Sequence, residues 1–326
     1  MQLLDRDGLA TAAGTVVTVG TFDGVHRGHV DVLDRLVARA RATARGSLLV
    51  TFEPHPLELL NPAAAPLLLT TRAEKLELLG RTGIEFVAVL PFDRALADLP
   101  AEAFVDEVLE QRFAMRELLI GHDHGFGRGR EGDVRTLQSL GASRGFAVDV
   151  VDPIQAGDGE PVSSSGIRRA LAAGNLAGAR EALGRHYSLR GTVVPGEARG
   201  RALGYPTVNV VADSPRKLLP LDGVYAVEVR TGHGDFGGML NLGARPTFQD
   251  DRRSIEAHLF DVAGDFYGDV VQVGFVARLR DTRRFDGVDA LVAQLGADER
   301  AARRALTASA EPGSLRGSMQ FPPSTQ

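Results

Sequence analysis

The stretch Thr18-Val-Gly-Thr-Phe-Asp-Gly-Val-His-Arg-Gly-His29 stands between an apolar run beginning at Thr15 and a segment in which Val30, Leu33, Val37 and Ala40 recur at helical spacing. That pattern predicts a strand turning directly into an amphipathic helix, with Arg35, Arg39 and Arg41 elsewhere on the turn. Gly20 and Gly24 suit a tight turn and close approach of a ligand to the backbone. The start of a helix offers unpaired N–H groups and the positive end of the helix dipole, both of which favour phosphate. His26 and His29 fall one turn apart, and Gly28 leaves room between them. Two imidazoles so placed can donate hydrogen bonds to the α- and β-phosphates of a nucleotide, stabilising charge that builds during nucleotidyl transfer. The competing reading is one core and one surface histidine. A zinc pair lacks a third ligand of suitable spacing.

Outward from this stretch, apolar runs at residues 15–20, 47–52, 85–90, 117–121 and 146–151 alternate with helical patterns. Strands separated by helices imply right-handed crossovers and a parallel sheet, whose ligands bind at the carboxyl ends of its strands. Beyond residue 188 the period changes to two. In Val270–Arg280, Val271, Val273, Phe275, Ala277 and Leu279 are predicted to face one way and Gln272, Gly274, Arg278 and Arg280 the other. Tyr225, Val227 and Val229 repeat the alternation, which predicts a small antiparallel barrel, and residues 288–306 predict a helix packed against it. The fold class is therefore α/β followed by all-β, with a linker near 184–188. Residues 311–326, rich in Pro, Ser and Gly, read as a disordered tail.

A net charge of -5 means that any polyanion site has to be a local arrangement. The absence of cysteine excludes disulfides, thiol catalysis and cysteine-ligated metals. The amino terminus lacks a signal pattern, and no apolar run approaches the ~20 residues a bilayer demands. The expected location is the cytoplasm, with neither membrane nor nucleic acid as partner. Neither lysine, Lys75 or Lys217, sits in a P-loop pattern, so a nucleotide is not held that way.

A second helix start, Ser163-Ser-Ser-Gly-Ile-Arg-Arg169, offers a serine cap, further hydroxyls for phosphate and Arg168 to clamp a pyrophosphate. Gly127-Arg-Gly-Arg-Glu-Gly132, with Asp149 downstream, satisfies a dinucleotide fingerprint, yet polar residues separate it from its strand. It reads as a mobile arginine-bearing loop. In the second half, Gly191-Thr-Val-Val-Pro-Gly-Glu-Ala-Arg-Gly-Arg-Ala-Leu-Gly-Tyr-Pro-Thr-Val-Asn209 spaces Gly196, Gly200 and Gly204 for a loop folded over phosphates. Thr207 and Asn209 share a face by period two and can hold a magnesium ion that bridges ATP phosphates. The alternative there is a turn leading into an edge strand.

These motifs, with Phe52-Glu-Pro-His-Pro56 and Gly184-Arg-His-Tyr187, resemble in order the prokaryotic bifunctional riboflavin kinase/FMN adenylyltransferase (FAD synthetase) family over roughly residues 14 to 306. The first half resembles the broader HxGH nucleotidyltransferase superfamily. The resemblance implies that His26 and His29 contact ATP phosphates within a site containing Gly20, Phe22, Asp23, Gly24 and Gly28. Ser163, Ser164, Ser165 and Arg168 would form the second phosphate-binding motif. His55 either orients the flavin phosphate or caps a proline-stiffened loop. Asp123 and Phe126 keep the family's places near the flavin, whereas His124 and Gly125 depart from an aromatic and a larger residue. In the second half the resemblance makes Glu256, in Ser254-Ile-Glu-Ala-His-Leu-Phe-Asp261, the catalytic glutamate of a kinase. It also sets Arg245 and Arg278 near nucleotide and flavin, although Arg278 and Arg280 equally suit a solvated basic edge.

The implied activity is phosphorylation of riboflavin by ATP to FMN, then adenylyl transfer from ATP giving FAD, both with Mg2+. Residues 1–184 would carry the adenylyltransferase and 185–310 the kinase. Riboflavin, FMN, FAD and ATP/ADP are the expected ligands, and the expected state is a monomer or weak homo-oligomer. Two alternatives stand beside this: a riboflavin kinase with a weakened adenylyltransferase half, motivated by His124 and Gly125, and a non-catalytic flavin-binding regulator.

Overall fold

The apolar run ahead of the histidine pair is a strand buried along its whole length, Thr15–Val19, in a computed structural model of the chain. The structure describes residues 1–326 except 5–7, 10–12, 123–124, 158, 197–198, 245–252 and 311–326. Asp123, His124, Arg245 and the tail at 311–326 therefore lie outside the described residues. Met1–Ser163 and Ser164–Gln326 form two compact units.

In the first unit β1 (Gln2–Leu4), β2 (Thr15–Val19), β3 (Gly46–Glu53), β4 (Phe86–Pro91) and β5 (Met115–Gly121) run parallel. After a small ladder of β6 (Gly125–Phe126) and β7 (Gly132–Asp133), β8 (Ala147–Val151) completes the sheet beside β5. The order is β1-β4-β3-β2-β5-β8. From β2 the chain steps outward through β3 and β4, then returns to the other side for β5 and β8. That reversal is the switch point of a doubly wound sheet, where ligands settle beyond the strands' carboxyl ends. The turn at residues 20–29 leaves β2 at that end and enters α1 (Arg27–Ala42). Val16 and Val17 belong to cores on opposite faces of the sheet, which is why β2 reads as one continuous apolar run. The five predicted strands are present. β1 was not predicted, because three residues on a sheet edge show no period.

The connections carry α2 (Pro56–Leu60), α3 (Arg72–Leu79), α4 (Arg94–Ala97), α5 (Ala101–Ala103) and α6 (Val134–Arg144), with a π-helical stretch at Phe104–Arg112. The loop predicted to be mobile is instead docked. A Cβ at Gly127 would come within 2.7 Å of the Ala101 backbone, and one at Gly132 within 2.9 Å of the Ala101 methyl. Glu131 accepts the Ala101 N–H at 2.9 Å. Gly127 and Gly132, the outer glycines of the apparent dinucleotide fingerprint, thus serve close packing, while Gly129 adopts φ 65° with open space beside it.

The second unit opens with α7 (Ser164–Ala172) and α8 (Leu176–Leu183), continues through β9 (Tyr187–Val194) and α9 (Arg199–Ala202), and then forms β10 (Val208–Ala212), β11 (Gly223–Thr231), β12 (Gly234–Ala244), β13 (Arg253–Leu259) and β14 (Val270–Arg280). The strands close an antiparallel barrel in the order β10-β13-β12-β11-β14-β9. Tyr225, Leu189, Leu240, Leu242 and Phe275 fill its interior. The α7–α8 pair packs with this unit, the Leu221 N–H bonding to the Leu171 carbonyl at 3.1 Å. The last helix, α10 (Val288–Ala310), lays Ala302 on Ala226, Met239 and Phe260 outside the barrel.

One face assignment in β14 needs correction. Val271, Val273 and Phe275 are buried as predicted, but Ala277 and Leu279 pack with the α10 cluster. Register shifts against β11, between Ala226 and Val227 and between Val224 and Tyr225, break the strict period. Arg278 is consequently opposite Tyr225 and Arg280 opposite Val224, so the two arginines do not form one solvated edge. Arg280 instead grips Asp298 of α10 through three bonds, at 2.9, 3.1 and 2.7 Å.

Candidate active sites

At the carboxyl end of β2, the turn adopts backbone that few side chains tolerate: Phe22 at φ 48°, Gly24 at φ 85° and Val25 at φ 37°. Gly24 also has no room for a Cβ, which would meet Leu69 Cδ1 at 2.8 Å. Asp23 holds this strained shape. Its carboxylate accepts the N–H groups of Leu69 and Thr70 at 3.0 and 2.9 Å and the Thr70 hydroxyl at 3.0 Å. Predicted as a ligand contact, Asp23 is buried and committed to the protein's own backbone. Gly20 continues the sheet, bonding to the Val50 carbonyl at 3.0 Å.

His26 caps α1, its Nδ1 accepting the His29 N–H at 3.3 Å. An accepting Nδ1 leaves the proton of the neutral ring on Nε2, as a donor. The two imidazoles stack with centroids 3.6 Å apart, and Phe22 lies 4.5 Å from His29 on centroids. The histidines thus form one slab, not two groups flanking the gap that Gly28 was expected to leave. A Cβ at Gly28 would instead press on His26, 3.3 Å from Nδ1. His26 is buried and His29 partly exposed, and both belong to the same stack.

His55 is found in its capping arrangement. Its Nδ1 accepts the Leu57 N–H at 3.2 Å while its own N–H bonds to Glu58. Phe126 joins an aromatic group with Phe104, centroids 4.9 Å apart, and Phe104 also meets Phe52. Ser163 ends the first unit, whereas Ser164, Ser165 and Arg168 lie on α7 in the second.

Sequence reading missed one group here. Lys75, on α3, is buried beneath the turn and donates to the Thr21 carbonyl at 3.1 Å. The available signal was its rarity, since the chain has only two lysines among 37 basic residues.

On the barrel, Asn209 and Glu256 are direct cross-strand partners, and Glu256 is also opposite Asn241. Ile255 and Ala257 turn into the core, so Glu256 and its partners share the outer face. Asn209 is tucked against the glycine loop: a Cβ at Gly196 would lie 1.9 Å from Asn209 Nδ2. A Cβ at Gly200 would come within 2.2 Å of the Tyr205 carbonyl oxygen and 3.6 Å of the Thr207 methyl, while Gly204 has φ 80°. Asn209 brings a hard neutral oxygen to this face, the donor type that magnesium takes together with phosphates and water. The close seat of Gly196 on Asn209 fits a phosphate loop folded over that donor. Arg278 is not a neighbour of Glu256: β12 and β11 intervene, and it bonds to Asp281 and the Asp222 carbonyl at 2.5 Å each.

Beside this row lies an open groove of about 620 Å³, lined by Tyr205, Pro206, His258, Asp261, Glu299 and Arg303 among others. Its wall is built by His258, on the same face as Glu256, whose Nδ1 donates to the Pro206 carbonyl at 2.7 Å. Tyr205 stands edge-on to His258 at 5.3 Å. Arg303 bonds both oxygens of Asp261, at 2.8 and 2.9 Å, and lies over Phe260. Only Glu256 was read from this segment; His258, two residues on, was within reach of the same period-two argument.

A switch-point histidine stack at a helix start, followed by a closed barrel with Asn209 and Glu256 paired on one outer face, defines a nucleotidyltransferase joined to a flavokinase-type barrel. Comparison with known proteins agrees: residues 9–166 match the family model described as FAD synthetase, and residues 183–306 match riboflavin kinase. The bifunctional riboflavin kinase/FMN adenylyltransferase of Escherichia coli (strain K12) is 41% identical over 90% of this chain and 93% of its own length. That of Pseudomonas fluorescens is 39% identical over 91% and 94%. A crystal structure described as a macrolide-efflux protein from Streptococcus pneumoniae is similar with a TM-score of 0.82, at 32% identity over 92% of this chain and 98% of that one. Among the described residues no helix is long and apolar enough to cross a membrane. The chain belongs to the bifunctional riboflavin kinase/FMN adenylyltransferase family.

Proposed function

We propose that this chain phosphorylates riboflavin with ATP on its barrel and then adenylylates the FMN to FAD. The observation that carries the reading is the direct pairing of Asn209 with Glu256, beneath a glycine loop that leaves Asn209 no room for a Cβ at Gly196. Thr207 and Asn209 would hold a divalent ion, magnesium, which would neutralise charge on the ATP phosphates. Glu256, fixed on a strand, takes the proton of the ribityl hydroxyl as its oxygen bonds to the γ-phosphorus and ADP leaves. The groove lined by Tyr205 and His258 would give the nucleoside room.

In the second reaction an FMN phosphate oxygen bonds to the α-phosphorus of ATP, and pyrophosphate departs. That oxygen is already anionic and needs no base. His26 Nε2–H, the His29 ring and the first N–H groups of α1 meet the growing charge. The functional division falls at 184/185, the location is cytoplasmic, and the chain acts as a monomer or weak homo-oligomer without nucleic acid or membrane.

The test is to incubate the protein with riboflavin, ATP and magnesium and resolve flavins chromatographically over time. FMN appearing and then converting to FAD supports both sites. FMN accumulating alone confines activity to the barrel, and no new flavin overturns the reading.

A further inference from the structure

Of 37 basic residues only two are lysines, and both are buried. Lys217 lies over the Tyr187 ring, away from any proposed chemistry. Lys75 is different. Its side chain is 6% exposed and runs under the turn at residues 20–29. Its ammonium has three donors, yet among the described residues it finds only the Thr21 carbonyl at 3.1 Å and, at 3.5 Å, the Thr51 hydroxyl. Among the described residues no carboxylate is within ion-pairing distance of it. Asp23 and Glu53 act on it from further away, and Asp23 is already bound to Leu69 and Thr70. Arg72, on its own helix, adds repulsion. A buried cation without a contact counter-ion is costly. An anion bound at the turn that Lys75 supports would balance such a charge.

We infer that Lys75 is a positioning residue for nucleotidyl transfer. It fixes the Thr21 carbonyl, and with it the Phe22–Val25 backbone, and sets beneath that turn a positive charge that bound nucleotide triphosphate would balance further. The inference rests on the adenylyltransferase reading of the first unit.

Burial lowers the Lys75 pKa from its ordinary value, with Glu53 and Asp23 opposing and Arg72 reinforcing that direction. Bound triphosphate raises it again. By linkage, ATP binds the protonated form more tightly, and affinity falls as pH rises through the depressed pKa.

The experiment supplies FMN and ATP directly, so that the kinase step is bypassed, and follows FAD and pyrophosphate in the full-length protein from pH 7 to 10. KM for ATP and kcat are compared for wild type, Lys75→Arg, Lys75→Gln and Lys75→Met. The expected result is a wild-type KM that climbs with pH and an inflection that all three variants lack. Lys75→Met and Lys75→Gln raise KM about tenfold at neutral pH, the size expected for a lost charged hydrogen bond, with kcat less affected. Lys75→Arg restores most of the neutral-pH affinity, because its charge does not titrate. A scaffold role alone would give superimposable pH profiles for wild type and Lys75→Gln, and that result overturns the inference. If Lys75→Met fails to fold by thermal melting, Lys75→Arg decides: a wild-type inflection retained in it also overturns the inference. Absence of FAD with the wild-type protein would sink the adenylyltransferase reading itself, before any variant is compared.

Discussion

Glu256 stands across one strand pair from Asn209 and across the next from Asn241, on a face from which Ile255 and Ala257 turn away. A carboxylate held by two neighbouring strands cannot drift from its substrate, which suits it to accept a proton but not to carry the fold. Glu256→Gln keeps the shape and removes the base. It is expected to slow FMN formation by about 10²- to 10⁴-fold, while FAD formation from supplied FMN and the melting temperature stay unchanged. Chromatography of the two half-reactions checks this. At the same scale, Asp23 shows where sequence reading stops. Inside a phosphate motif it looks like a ligand contact, and only the fold reveals that Leu69 and Thr70 occupy its oxygens. Lys75 is hidden for the converse reason: nothing near it in sequence marks it, and its partners Thr21 and Thr51 come from other elements.

Elements divide by whether their residues answer to a local period or to distant neighbours. β2 and α1 were legible because a buried central strand is continuously apolar and a surface helix shows its stripe: Leu33, Leu36, Val37 and Ala40. β14 was legible as a strand, but its faces were not, because the register shifts that turn Ala277 and Leu279 outward are set by β11. The π-helical winding of Phe104–Arg112 was likewise unreadable, since its apolar spacing imitates an ordinary helix. Two predictions belong here. Gly196→Ala places a methyl 1.9 Å from Asn209 Nδ2, so the loop or the amide has to move. Riboflavin phosphorylation should lose ATP affinity by about tenfold or more, while adenylyl transfer to supplied FMN is unaltered; steady-state KM for ATP in each half-reaction separates the two. Asp298 is 3% exposed and receives both the Arg280 fork and Gln294 at 2.6 Å. Asp298→Ala leaves Arg280 unmatched under α10 and is expected to cost about 3 kcal/mol, read as a lower urea midpoint for the barrel unit.

At the scale of the whole chain, the two chemistries are borne by different units, one resting on a parallel sheet and the other on a closed barrel. Glu256 and the Asn209 loop belong wholly to the second unit, and the His26–His29 stack wholly to the first. Each set is positioned by hydrogen bonds and packing within its own unit, so a substitution that removes one set leaves the support of the other intact. FMN, the product of the barrel and the substrate of the sheet unit, is a small soluble anion that can diffuse from one molecule to another. A mixture of His29→Ala protein, which retains the kinase, and Glu256→Gln protein, which retains the adenylyltransferase, should therefore make FAD from riboflavin although neither does so alone. The time course should show a lag set by the rise of free FMN, and added FMN should abolish it. If the mixture builds up FMN and makes no FAD while supplied FMN is converted normally by the Glu256→Gln protein at the same concentration, independence of the two sites is refuted.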